Sequence, residues 1–241
     1  MERSLSFTTL FFYRTTILLL LLLLFPVLVQ ADESVYEHQI QQARNGNYAL
    51  FLDYLQRYEQ QNALTPGQVA DWLQVASWAG RDDEVIRVWQ RYGIYMPLPA
   101  RAIAAVAQSR RNQKAWPSAL SLWKEALSLA PDNDDYRIGY VKTLADARRD
   151  RLALSKARQL VKGDPSPAHL ETLSYVWMRQ GKNGDRLLAD MRALNAAPGN
   201  NALLRETIDA LTENRVSTPA LWLSQSVAMS PAERRRLERN A

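Results

Sequence analysis

At 241 residues the chain has room for one globular domain or one short solenoid, and two independent enzyme domains would be crowded. Lys and Arg number 30 against 25 acidic residues, a net charge of +5 that is too mild for a nucleic-acid footprint. Cysteine is absent, which excludes disulfides, thiolate metal sites, thiol nucleophiles and lipid attachment at cysteine, and the nine glycines include no GxGxxG or GxxxxGKS/T run to cradle a phosphate.

The chain opens with Arg3 and Arg14 ahead of an apolar stretch from Ile17 to Val29, and Val29 and Ala31 stand three and one places before Asp32. This is the charged, apolar and small-residue order of a secretory signal, so residues 1–31 read as a leader cleaved after Ala31. The competing reading is an uncleaved anchor lengthened by Phe11 and Phe12, but thirteen residues fall short of the roughly 20 that a bilayer span needs. Cleavage leaves 28 basic against 24 acidic residues and implies a periplasmic destination.

Past the leader one period dominates. Pro97, Pro131 and Pro165 are spaced by 34, and the column continues to Gly199, beside Pro198. Leu55, Trp89, Trp123, Ala157 and Met191 form a second column at that step. Phe51, Val85, Ala119, Ala153 and Leu187 form a third, and Tyr58, Tyr92, Ala126, Leu160 and Leu194 a fourth. Gly46 and Gly80 share a register suited to closing a helix. The abundance of Ala, Leu, Arg and Gln favours helix throughout.

The columns parse residues 32–230 into six helical hairpins, roughly 32–65, 66–99, 100–133, 134–167, 168–200 and 201–230. Thr65-Pro66-Gly67-Gln68 opens the second hairpin with Thr at the N-cap, Pro at the first helical position and Gln poised to complete a capping box. Ser166-Pro167 and Thr218-Pro219 repeat the Ser/Thr-Pro entry. In the third hairpin, Ala119, Trp123, Ala126 and Pro131 fall where the tetratricopeptide consensus places Ala, Phe, Ala and Pro: small residues for close helix approach, an aromatic in the seam and a proline stop. The predicted fold class is therefore an all-α, right-handed tetratricopeptide-repeat superhelix, in which each hairpin buries its apolar face only by stacking. Residues 231–241 start a further helix or form a truncated tail, since Ser230-Pro231-Ala232-Glu233 opens another capping box before RRRLERNA.

The runs QVADWLQVASWAGRDDEVIRVWQRY (Gln68 to Tyr92) and LPARAIAAVAQSRRNQKAWPSALSLWKEALSLAPDNDDYRIGYVKTLADA (Leu98 to Ala147) resemble the periplasmic repeat domain of the poly-β-1,6-N-acetyl-D-glucosamine export porin family. The resemblance is strongest from Gln68 to about Leu160 and collinear from Ser34 to about Val216. It implies an N-terminal tetratricopeptide superhelix, with an outer-membrane β-barrel C-terminal to it in full-length members. This chain has no alternating strand series of the kind a barrel requires. It reads as a scaffold segment truncated before the barrel, reaching the outer membrane only through that missing part. The implied partners are a periplasmic polysaccharide deacetylase and partially deacetylated poly-N-acetylglucosamine, in the setting of biofilm matrix export.

In such stacks the first helix of each hairpin lines a concave groove. Counted from Ala119, the groove positions hold Gln74, Trp78, Arg101, Gln108, Arg111, Asp135, Lys142, Asp146 and Arg179, with Gln180 beside the last. Amides, an aromatic and both charge signs suit a peptide or a polymer bearing amides and free amines, whose ammonium groups would meet Asp135 and Asp146.

No catalytic, metal or cofactor site is predicted. His38 and His169 lie in different repeats, no GxSxG elbow occurs, and Asp135 and Asp146, 11 residues apart on one helix, would stand ~16 Å apart, beyond the ~5–9.5 Å of glycosidase pairs. The alternative to the exporter reading is an adaptor for envelope protein assembly that binds protein segments. Successive Lys/Arg clamps would favour it, but acids interrupt Arg101, Arg111, Lys142 and Arg179.

Overall fold

The structure is a computed structural model that describes residues 35–213 and, beyond them, 220, 223–225, 230–232, 235 and 239. The leader, the Thr218-Pro219 entry and most of the tail lie outside the described residues. Within them the chain is a run of helices without a strand: α1 (35–44), α2 (Tyr48–Tyr58), α3 (Pro66–Trp78), α4 (Asp82–Tyr92), α5 (Ala100–Asn112), α6 (Trp116–Leu129), α7 (Asp134–Asp146), α8 (Asp150–Gly163), α9 (Pro167–Arg179), α10 (Asn183–Ala196) and α11 (Asn201–Glu213). Sequential helices pack as hairpins. First helices also pack on one another, α3 on α5 and α7 on α9, whereas the second helices make no comparable contact among the described residues. The stack therefore curves with its first helices inside.

One turn chemistry closes the first helices. After α3 the N–H of Arg81 donates to Ala76 O and that of Gly80 to Ser77 O, the paired bonds of a Schellman closure. The same pair recurs at Ala115 and Lys114, at Arg149 and Arg148, and at Lys182 and Gly181. The residue at the bend is left-handed every time: Gly46, Gly80 and Gly181, but also Lys114 at φ 59° and Arg148 at φ 56°. At Gly80 this conformation is free of steric cost, whereas Lys114 and Arg148 carry a Cβ into it. Helix entries differ more. Thr65 forms the full capping box with Gln68, Asn133 accepts from the N–H of Tyr136 at 3.1 Å, and Ser166 precedes Pro167 without a side-chain cap bond.

The apolar columns form the core through hairpin four. Phe51, Leu55, Val85, Ala119, Ala126, Ala153 and Ala157 are fully buried, and Trp123 is 4% exposed. Between the first two hairpins, Glu84 ties three helices together by accepting from Trp72 Nε1 at 2.8 Å, Gln56 Nε2 at 2.9 Å and Arg81. Burial alone would push the Glu84 carboxyl up; the three donors outweigh it and hold the carboxyl below its usual range.

Hairpin five departs from the predicted register. The helices α3, α5 and α7 begin 34 residues apart, as do α2, α4, α6 and α8, but α9 begins 33 residues after α7 and α10 33 after α8. Counted from its first residue to the start of the next helix, α8 with its connection is one residue shorter than the same span from α2, α4 or α6, so every column beyond it moves by one. The proline column continues at Pro198 rather than Gly199. Counted from the helix starts, Arg186 takes the place of Ala153 and Asp190 that of Ala157, in positions assigned to Leu187 and Met191 from the sequence. Asp190 is fully buried, and Met191 is 51% exposed. Arg186 Nε lies 3.5 Å from Asp190 Oδ2, and its Nη1 lies 2.6 Å from Glu213 on α11. Both Asp190 carboxylate oxygens lack a hydrogen-bond partner among the described residues.

Candidate functional site

A cleft of about 470 Å³ opens on the concave face between hairpins three and four. It exists because α5 and α7 barely touch, unlike the neighbouring pairs of first helices. Trp123, reaching from α6, holds them apart with its ring where a side chain at position 139 would sit: a Cβ on Gly139 would lie 2.5 Å from the indole. Only glycine admits the ring so close to the α7 backbone. Trp123 forms part of the cleft's lining, and its indole N–H has no partner among the described residues.

Six predicted groove residues line this cleft: Gln74 and Trp78 from α3, Gln108 and Arg111 from α5, and Asp135 and Lys142 from α7. Trp78 is 49% exposed, with Tyr48 tilted against it at 6.5 Å. Gln108 donates to Asn112 on its own helix. Asp135 is exposed and has no ion-pair partner among the described residues. Lys142 stands over the Tyr175 ring at 5.8 Å. Burial first, and then the Arg111 charge, push its ammonium below the usual lysine range, while Glu171 and Glu206 pull it back.

The other three predicted residues are committed to internal ion pairs. Arg101 reaches from α5 to Asp71 on α3 at 3.0 Å, and Asp71 accepts from Tyr36 Oη at 2.5 Å. Asp146 lies between Arg111 Nε at 2.8 Å and Arg179 Nε at 3.0 Å and accepts from Tyr175 Oη at 2.5 Å. The expectation that Asp146 would meet an amine is thus corrected: two guanidinium groups and a phenol occupy its carboxylate. Gln180 donates to Asp150 O, tying hairpins four and five.

The cleft also takes in Asn133, Tyr136 and Gly139, which the sequence reading did not assign to it. Asn133 and Tyr136 belong to the start of α7, where a capping role masks a groove role; Gly139 has no side chain to signal one. No group of three or more metal-ligating side chains occurs among the described residues.

No protein-family model matches the chain. In fold it is similar to a thermophilic tetratricopeptide-repeat protein of Thermus thermophilus, with TM-score 0.56 and 16% identity, covering 74% of this chain and 98% of that one. It is also similar to a tetratricopeptide repeat protein of Parabacteroides merdae, with TM-score 0.57 and 11% identity, covering 79% and 78%. Stacked hairpins, Schellman turns and a concave face of first helices make the chain an all-α tetratricopeptide-repeat protein.

Within that class its sequence is similar to that of poly-β-1,6-N-acetyl-D-glucosamine export proteins. It is 38% identical over 192 residues to the protein of that name from Escherichia coli K12, and equally to the one from Escherichia coli O157:H7. The match takes in 80% of this chain and 23% of each relative, so the chain spans under a quarter of their length. These sequence relatives are named for export, and the solved structures for their repeats. No helix among the described residues is long and apolar enough to cross a membrane.

Proposed function

We propose that this chain is a periplasmic scaffold segment for exopolysaccharide export and biofilm matrix formation, whose concave cleft receives partially deacetylated poly-β-1,6-N-acetyl-D-glucosamine. The observation that carries the reading is the 38% identity to the export proteins across 80% of the chain. The cleft's chemistry supports it. Gln74 and Gln108 offer amides to acetamido groups, the half-exposed Trp78 offers a face to a sugar ring, and the unpaired Asp135 offers a carboxylate to a free amine. A periplasmic deacetylase is the protein partner of the same superhelix. The chain binds and positions; it does not catalyse.

The test is calorimetric titration of the whole chain with partially deacetylated polymer and, separately, with the deacetylase. Polymer binding should weaken in Asp135→Asn and Trp78→Ala and with added salt, because exposed charge pairs are screened. Binding to neither partner, or polymer binding indifferent to both substitutions and to salt, removes the reading.

A further inference from the structure

The outward face carries a second groove, between the second helices α8 and α10. Its floor is apolar: Val161 from α8, Leu170, Leu173 and Trp177 from α9, and Ala189 from α10, around a volume of about 410 Å³. Its rim is cationic. Arg158 and Lys162 stand one turn apart on α8, and Arg192 faces them from α10. Lys182 adds a fourth cation at the entry to α10, and Asp185 is the acid in the lining.

Some cations find carboxylates, as Arg101, Arg111, Arg179 and Arg186 do, and other exposed ones, such as Lys124 and Arg151, have none among the described residues; the groove differs in that its cations surround an apolar floor. Among the described residues no carboxylate lies within ion-pair distance of Arg158, Lys162, Lys182 or Arg192. Two of them rest on an indole instead: Arg158 Cζ is 5.3 Å and Lys182 Nζ 5.0 Å from the centre of the Trp177 ring. Trp177 is itself buried, but both cations are exposed, where such a contact gains only about 0.5–1 kcal/mol, so both remain available to a carboxylate. The one-residue contraction before α9 leaves Leu188, 58% exposed, at the edge of this groove and Met191 on the same helix.

We propose that the groove between α8 and α10 docks an acidic amphipathic segment of a partner protein, with an apolar side chain seated on Trp177 and Leu173 and carboxylates paired with Arg158, Lys162 and Arg192. Charge complementarity selects the occupant: several unpaired cations surround an apolar floor with one acid among them. A recessed floor between two helices favours an inserted side chain over a flat anionic membrane. The proposal is independent of the concave cleft and of the polymer assigned to it.

The probe is a fluorescent peptide of alternating glutamate and leucine, titrated against the whole chain by anisotropy, beside a glutamine–leucine peptide and phosphatidylglycerol vesicles. The acidic peptide should bind, weaken with salt, and lose about tenfold in affinity in Arg158→Glu plus Arg192→Glu, the sum of modest losses at two exposed pairs. Leu188→Asp should weaken it as well. All substituted side chains are exposed, and circular dichroism melts confirm that the variants remain folded. Absence of acidic-peptide binding, equal binding of the glutamine peptide, affinity unchanged by the charge reversal, or vesicle binding lost through the same substitutions while the peptide does not bind overturns the proposal.

Discussion

Two stretches of one repeat lattice behave differently. From α2 to α8 the 34-residue register is intact, Phe51, Leu55, Val85, Ala119, Trp123, Ala126, Ala153 and Ala157 are buried, and Arg101 and Arg111 on the concave face are clamped by Asp71 and Asp146. In hairpin five, one residue shorter in its approach, the same columns bring Arg186 and Asp190 inside, and Met191, with Leu188 beside it, stands outside. The lesson is that a repeat assigns faces by count. A single missing residue exchanges core for surface without changing the helices themselves. The intact stretch makes a polar cleft with one free carboxylate, and the shifted stretch makes an apolar groove rimmed by free cations.

The sharpest break of the comparison is a large-to-small substitution on each side of the shift. In the intact stretch, Trp123→Ala should cost about 3–5 kcal/mol, the usual loss for a buried large aromatic, and should also collapse the concave cleft. A thermal melt within error of the parent would mean that Trp123 does not hold hairpins three and four apart. In the shifted stretch, Arg186→Ala alone leaves Asp190 buried without its cation and should cost about 3–5 kcal/mol. Adding Asp190→Ala restores the Ala153 and Ala157 pattern, and the double variant should be as stable as the parent or more stable by about 1–4 kcal/mol. Chemical denaturation of all three proteins decides it, and a double variant weaker than the single one would refute the register assignment. Gly139→Ala should cost about 1–3 kcal/mol, because the added methyl overlaps the Trp123 ring.

Acid contrasts the two stretches again. The Glu84 carboxyl is held low, so its stabilisation is present above the unfolded carboxylate range and is lost as pH falls through its folded value. Asp190 is pushed up, by burial first and then by the Glu206 and Glu171 charges, against the Arg186 charge. Its preference for the neutral form stabilises the fold below the unfolded value, and that contribution is lost as pH rises through the folded one. Asp190→Asn should therefore melt higher than the parent at neutral pH, with the gap closing as pH falls. Glu84→Gln should melt lower at neutral pH, with its gap also closing in acid. An Asp190→Asn gap that widens toward acid would contradict the assignment. The smallest effect belongs to the turns: Lys114→Gly should gain about 1 kcal/mol by relieving a left-handed Cβ, measurable as a higher melting temperature.

The fold was legible in the sequence because 34-residue spacing, proline stops and the Ala119–Trp123–Ala126 trio are local signals. Gly46 and Gly80 marked the left-handed turns, but Lys114 and Arg148 occupy the same position without any composition signal. Counting from Pro165 to Gly199 carried the register past a contraction that only the helix starts at Pro167 and Asn183 reveal. Six groove residues were legible because a first-helix face follows from periodicity. Pairing was not: nothing in the spacing of Asp135 and Asp146 says that Arg111, Arg179 and Tyr175 converge on one and leave the other free. The outward groove stayed hidden for the same reason, since Arg158 and Arg192 read as ordinary solvated charges until the structure sets them around Trp177.

The measurement that bears most directly on the division between the two stretches is a crossed binding experiment. Affinities for partially deacetylated poly-N-acetylglucosamine and for the acidic glutamate–leucine peptide are determined on three proteins: the parent, Asp135→Asn plus Trp78→Ala, and Arg158→Glu plus Arg192→Glu. The concave substitutions should weaken the polymer and leave the peptide unchanged, and the outward pair should do the reverse. If either pair weakens both ligands equally, or neither ligand responds to its own pair, the molecule does not carry two separate binding faces.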